Sequence, residues 1–322
     1  MLQKQFVEII QLIKQARNRA IKSVNTELIN LYWNIGEYIS KRVENAEWGQ
    51  SIVKELAIYL QKNEPDLKGF SDKNLWRMKQ FYETYKDFPK LAPVVREISW
   101  TNNLTILSRA NTIEEKEFYL RLCIQEKYSK RELERQISSS VFERVILGNV
   151  KLSPLVREIH PAITDSFKDS YVFEFLNLGE THDENDLQKG LIKQMKKFIL
   201  ELGKDFLFIG EEYKVQVGNK DFFIDLLFYH RSLQCLVAFE LKKGEFEPEH
   251  LGKLNFYLEA LDRDVKKQNE NPSIGILLCK EKDSEVVEYA LSRNLSPTLV
   301  TEYKTQLPNK KLLQQKLHEL FE

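Results

Sequence analysis

The chain is poor in cysteine and has no long apolar run. Cys123, Cys235 and Cys279 are an odd number of thiols, far apart and each in a hydrophobic context. With no CxxC pair and no Cys/His spacing, they exclude a disulfide framework and a zinc site, and read as buried residues of a reducing compartment. No apolar stretch reaches the roughly 18 residues a membrane helix needs, so no membrane partner is expected. The opening MLQKQFVEIIQLIKQARNRA mixes acid and base along an amphipathic helix. It lacks the apolar core and cleavage site of a signal peptide, which points to the cytoplasm. P-loop, GxGxxG, GxSxG and HExxH patterns are all missing, which argues against nucleotide-driven and serine-hydrolase chemistry. Net charge is missing too: 48 basic residues balance 48 acidic ones. Bulk electrostatic binding of nucleic acid therefore gains no support, although residues 1–150 carry 24 Lys and Arg against 19 Asp and Glu, and the remainder 24 against 29.

What is present is a soluble, globular composition, 42% hydrophobic and 30% charged over 322 residues, long enough for two cores. Residues 1–150 read as helical almost throughout. Leu28, Leu31, Tyr32, Ile35, Tyr38 and Ile39 recur at the helical period. Ser71 caps a helix whose apolar stripe is Leu75, Met78, Tyr82 and Tyr85, and Ser129 with Glu132 forms a capping box. Residues 151–170 lose the period and contain two prolines, which suggests a linker. From 171 to 322 the order becomes helix, three strands, helix, strand, the pattern of a mixed sheet flanked by helices in an α/β layered domain.

The chemistry is carried by two acids inside apolar runs. FFIDLLFYH holds Asp225 in its middle, and LVAFELKKG ends with Glu240 and Lys242. Burying a carboxylate without a partner costs several kcal/mol or more, so a compensating charge is expected. Glu240 and Lys242 are two apart on a strand and share a face, and a short turn joins their strand to that of Asp225. Asp225, Glu240 and the carbonyl of Leu241 make an oxygen-rich set suited to Mg²⁺, with Mn²⁺ as a substitute. Lys242 beside them would orient or deprotonate a water or stabilise charge developing on phosphorus, which fits phosphodiester hydrolysis. The alternative from the residues alone is a salt bridge at a sheet edge with no metal. His230 and His250 lie near enough in sequence to approach this site.

The segments FSDKNLWRMKQFYETY, EFYLRLCIQEKYSKRELERQI, GNKDFFIDLLFYH, LVAFELKKGEFEPEHLGKLNFYLEALD and NPSIGILLCK are similar to the YhcG family of bacterial proteins. That family joins a helical N-terminal domain to a nuclease domain of the PD-(D/E)xK superfamily. The resemblance implies a restriction-endonuclease-like fold with an α-β-β-β-α-β core. It also implies that Asp225 and Glu240 bind Mg²⁺, that Lys242 completes the active site, and that DNA is the substrate, with RNA left open. It suggests a role in defence beside a restriction-system partner. Two positions depart from the superfamily pattern. Gln188 stands where a glutamate of the first core helix is common, and Glu184 or Asp186 would replace it only if the register of that helix allowed. Lys253 and Tyr257 stand where Gln-x-x-x-Tyr is common, on one helix face.

In the N-terminal half, Lys73, Arg77 and Lys79 lie on the helix after Ser71, and Lys130 and Arg131 on the helix after Ser129. Basic residues near helix starts suit phosphate contact, and the resemblance makes this half a recognition domain for DNA or a protein partner. Interleaved acids leave an ordinary mixed-charge surface as the other reading. The long N-terminal helices also suit a homodimer. Two further readings of the whole chain stand beside a nuclease: a catalytically silent nuclease-fold module that binds nucleic acid or protein, and a structural assembly protein.

Overall fold

The computed structural model describes residues 2–46, 48–148, 150–159, 167–179 and 182–321. The chain divides into two compact units, Met1–Ile137 and Ser138–Glu322.

The first unit is built from helices: α1 (Leu2–Glu44), α2 (Gln50–Asn63), α3 (Asp72–Tyr85), α4 (Ala92–Glu97), α5 (Trp100–Arg109), α6 (Ile113–Glu126) and α7 (Lys130–Ser138). α1 lies along α3 with Ile29, Tyr32 and Ile39 buried, while Leu28, Leu31 and Tyr38 remain exposed. The expected period is there, but the buried face is turned toward Gly36. A methyl group on Gly36 would stand 2.1 Å from the carbonyl oxygen of Met78, so only glycine lets the two backbones cross this closely. On α3, Ser71 accepts from the amide of Asn74, and Leu75, Met78, Phe81 and Tyr85 are buried. Phe81 takes the place expected of Tyr82, which stays partly exposed. The capping box of α7 forms as expected, with Glu132 accepting from the Ser129 amide at 2.8 Å.

The second unit runs α8 (Val141–Leu147), β1 (Lys151–Leu152), α9 (Pro154–Ile159), β2 (Ser170–Val172), α10 (Glu184–Lys193), α11 (Met195–Leu202), β3 (Phe206–Val217), β4 (Lys220–His230), β5 (Cys235–Leu241), α12 (His250–Asp264), β6 (Ile274–Cys279), α13 (Ser284–Ser292), β7 (Thr298–Lys304) and α14 (Lys310–Phe321). The sheet order is β1-β7-β6-β5-β4-β3, with β2 added parallel to β7. β3, β4 and β5 pair antiparallel, whereas β5, β6 and β7 run parallel. Parallel neighbours need helical crossovers, and α12 and α13 supply them.

The stretch expected as a linker belongs to this unit. Lys151 and Leu152 pair with Val300 and Leu299, and Leu152, Val156 and Phe167 are core residues. Its lack of period reflects a two-residue strand followed by a short helix, both too brief to show one; residues 160–166 lie outside the described ones. The helix that opens the expected order is two, α10 and α11, broken at Gln194.

Alternation along β5 sorts the two cores. Val237, Phe239 and Leu241 face Leu187, Leu191 and Phe198 of α10 and α11. Leu236 and Ala238 face Leu254, Tyr257 and Leu258 of α12 on the other side. By the same alternation Glu240 points to the α12 side. Gly275 of β6 lets α12 sit down, because a Cβ there would meet Leu254 Cγ at 2.8 Å.

Candidate active site

Asp225 sits where the sheet opens. The β3–β4 ladder passes from Leu226 opposite Glu211 to Ile224 opposite Tyr213, and the β4–β5 ladder ends at Leu226 opposite Phe239. Asp225 is thus skipped by both ladders, and its neighbour Glu212 on β3 has the left-handed φ of 43°. Backbone groups released this way need other partners. Gln188 of α10 donates its Nε2 to the Asp225 carbonyl at 2.9 Å, and the amide of Leu241 donates to Asp225 Oδ2 at 2.7 Å. The same opening that satisfies these groups brings the Asp225 carboxylate beside the end of β5.

Glu240 is fully buried. Its Oε1 accepts from Lys242 Nζ at 2.9 Å and from Lys253 Nζ at 2.7 Å, while its Oε2 is buried without a partner among the described residues. Burial first, and then the charge of Glu240, push the Asp225 carboxyl up to about 6, against the opposing pull of the Leu241 amide, Lys253 and Lys242. The Lys242 ammonium loses solvent, yet its hydrogen bond and charge attraction to Glu240, with Glu184 behind, outweigh that loss and hold its pKa above the usual value. Lys253 is shifted upward for the same reasons. Two cations therefore face two carboxylates, with Glu240 fully buried, Lys242 largely so, and about half of the Lys253 side chain open to solvent.

Of the residues singled out in sequence, Asp225, Glu240, Lys242, Gln188, Lys253 and Tyr257 are brought together here. Tyr257 is buried beneath Lys253, whose Nζ lies 5.4 Å from the ring centroid, and the Tyr257 hydroxyl donates to the Phe223 carbonyl at 2.6 Å. Glu184 also arrives, one turn before Gln188 on α10. It stands 3.5 Å from Lys242 Nζ and accepts from the Lys243 amide at 3.4 Å. Asp186 does not, since it closes the capping box with Asp183. His230 is at the far end of β4 against Phe206, and His250 accepts from the Glu247 amide, so neither histidine contacts the cluster. The ion pair of Lys253 with Glu240 had no local signal, because residues on a strand and on a later helix meet only through the fold.

The oxygens suit a hard divalent cation. Asp225 and Glu240 supply carboxylates, one with an unpartnered buried oxygen, and the Leu241 carbonyl shares the strand edge of the Leu241 amide that reaches Asp225. Among the described residues, no three or more His, Cys, Asp or Glu side chains are gathered as a ready metal cage. Two carboxylates with water completing the shell is the pattern Mg²⁺ accepts.

Lys73, Arg77, Lys79, Lys130 and Arg131 all belong to the N-terminal unit. Lys79 is consumed by Glu83 at 2.5 Å with only 15% of its side chain exposed, while Lys73, Arg77, Lys130 and Arg131 are exposed. No described helix is long and apolar enough to cross a membrane.

Comparison with known proteins agrees with this architecture. Residues 164–318 match the YhcG PDDEXK nuclease domain, and residues 8–144 match the DUF1016 N-terminal domain. Over 347 aligned positions the chain is 31% identical to "Putative nuclease YhcG" of Escherichia coli (strain K12), covering 96% of this chain and 92% of that one. Among solved structures, a repair endonuclease from Pyrococcus abyssi matches with a TM-score of 0.27 and 15% identity, over 38% of this chain and 50% of its own. An EndoMS–dsDNA complex matches with a TM-score of 0.24 and 18% identity, over 37% and 45%. Overlaps that small carry nothing about activity.

Proposed function

Since the chain belongs to the YhcG family and carries its PDDEXK nuclease domain, we propose that it is a metal-dependent endonuclease that hydrolyses DNA phosphodiester bonds, with the N-terminal helical unit as its recognition element. The observation that carries this reading is the convergence of Asp225, Glu240 and Lys242 at the opened end of the β4–β5 pair, with Glu240 buried and one of its oxygens unpartnered.

Asp225, Glu240 and the Leu241 carbonyl would hold Mg²⁺ or Mn²⁺, which supplies Lewis acidity toward a phosphoryl oxygen and a more acidic water. The chain's own contribution is positional. The Leu241 amide fixes one Asp225 oxygen. Lys242, held between Glu240 and Glu184, keeps its proton and so acts as a donor that orients water and neutralises charge developing on phosphorus. Gln188 fixes the Asp225 backbone, which keeps the carboxylate in place.

A silent binding module is the second reading, favoured by the uncharged Gln188 and by Lys253 lying directly on Glu240. An endpoint assay on supercoiled, linear, single-stranded and branched DNA, run with Mg²⁺, Mn²⁺ or EDTA, separates the two. Metal-dependent cutting should fall by at least about 100-fold in Lys242→Ala. Equal cutting by wild type and variant would remove Lys242 from the mechanism. Retained DNA with no cutting on any substrate would favour the silent module.

A further inference from the structure

In the N-terminal unit, α3, α5 and α7 frame an open groove of about 480 Å³. Each helix sends one stripe into it: Arg77 and Gln80 from α3, Thr101 and Arg109 from opposite ends of α5, Lys130 and Glu134 from α7. Glu134 is the single acid on this lining, against three cations. It draws Arg109 to 3.3 Å and Lys130 to 3.8 Å, which holds both at one wall.

Arg77 on the other wall has no acidic partner among the described residues, and neither the Gln80 amide nor the Thr101 hydroxyl makes a hydrogen bond there. This differs from the helical surface elsewhere in the unit. Lys41 with Glu37, Lys79 with Glu83 and Arg121 with Glu117 are closed i,i+4 pairs of an ordinary mixed-charge face. The groove holds one such pair too, Lys130 with Glu134, but three cations against one acid leave it a net charge of +2 beside free donors, and a polyanion made only of acceptors is its complement.

We propose that this groove holds the phosphodiester backbone of duplex DNA, with Arg77 and Lys130 on phosphate oxygens from opposite walls and Gln80 and Thr101 donating between them. The choice of DNA rests on the nuclease reading; the choice of a phosphodiester rests on the groove. Because the whole chain is neutral, affinity then comes from this local site and not from bulk charge.

The test uses the full chain in EDTA, where no metal-dependent cutting intervenes, with a labelled DNA duplex followed by fluorescence anisotropy over a salt series. Arg77→Glu should weaken binding about tenfold or more and lower the slope of log affinity against log salt by about one. Lys62→Glu, the same charge change on α2 outside the groove, should stay within about twofold. Arg77→Gln serves if the glutamate variant unfolds early in a thermal scan. Equal weakening by the Arg77 and Lys62 variants would assign the affinity to net charge, and wild-type affinity in Arg77→Glu would empty the groove of a role. Both overturn the proposal, as would an effect seen on an RNA duplex alone. Wild-type protein that binds through Arg77 but never cuts with Mg²⁺ or Mn²⁺ sinks the nuclease reading and leaves the groove standing.

Discussion

Glu201 and Glu240 of the C-terminal unit are both fully buried, and their surroundings differ in kind. Glu201 Oε1 accepts from Arg144 at 3.1 Å and from the Val172 amide at 3.1 Å, with Lys168 at 3.7 Å. Arg144 in turn donates to the Ser139 and Ser170 carbonyls, so the network closes on itself and ties α8, β2 and α11 together. Glu240 likewise has two cations on one oxygen, but its other oxygen is buried without a partner among the described residues and a second carboxylate stands alongside. An unpartnered oxygen alone is not the mark, since Glu143 Oε2 is also without one beside Lys310 and Gln314. The distinguishing feature is the second carboxylate, Asp225, which burial and the neighbouring Glu240 charge hold above the usual carboxylate range. A closed network serves the fold; an open one at a strand end keeps capacity for another cation.

The largest expected effect falls on the closed network. Arg144→Ala strands Glu201 in the interior and should lower the unfolding free energy by about 3–5 kcal/mol, read from urea denaturation. A loss below about 1 kcal/mol would show that the Glu201 network is no more structural than the Glu240 cluster. Next comes the response to a cation. Mn²⁺ at about 100 times its dissociation constant should stabilise the wild type by about 3 kcal/mol and Asp225→Asn by much less. A thermal shift of the same size in both proteins would place the ion elsewhere.

The smallest effect is one of pH. The folded chain keeps the Asp225 proton up to about pH 6, whereas an unfolded aspartate releases it near pH ~3.9. Between those values the folded state binds more protons, so raising the pH costs stability, and the full cost is present above pH 6. Asp225→Asn should therefore be more stable than wild type by about 1–2 kcal/mol at pH 7, with the difference vanishing below about pH 3.5. A difference independent of pH would mean that Asp225 is ionised without penalty in the fold.

Much of the site was legible before any coordinates. An aspartate inside FFIDLLFYH and Glu-x-Lys at the end of LVAFELKK announce buried charge, because alternation and hydrophobicity are local properties of a strand. The Ser71 cap and the Ser129–Glu132 box were legible for the same reason, each needing only three residues. Residues 151–170 were misjudged because a strand of two residues owes its existence to β7, which lies nearly 150 residues away.

The pattern of apolar and charged residues settles which segments become helices and strands, and that Asp225, Glu240 and Lys242 come to lie in or beside buried strands, since these follow from interactions within a few residues. The skipped ladder position that frees Asp225, the arrival of Glu184 and Gln188 from one core layer and Lys253 from the other, and the meeting of Arg77 with Lys130 across a groove all belong to tertiary structure. Each depends on contacts between elements far apart in the chain, and their energies enter only when the layers pack.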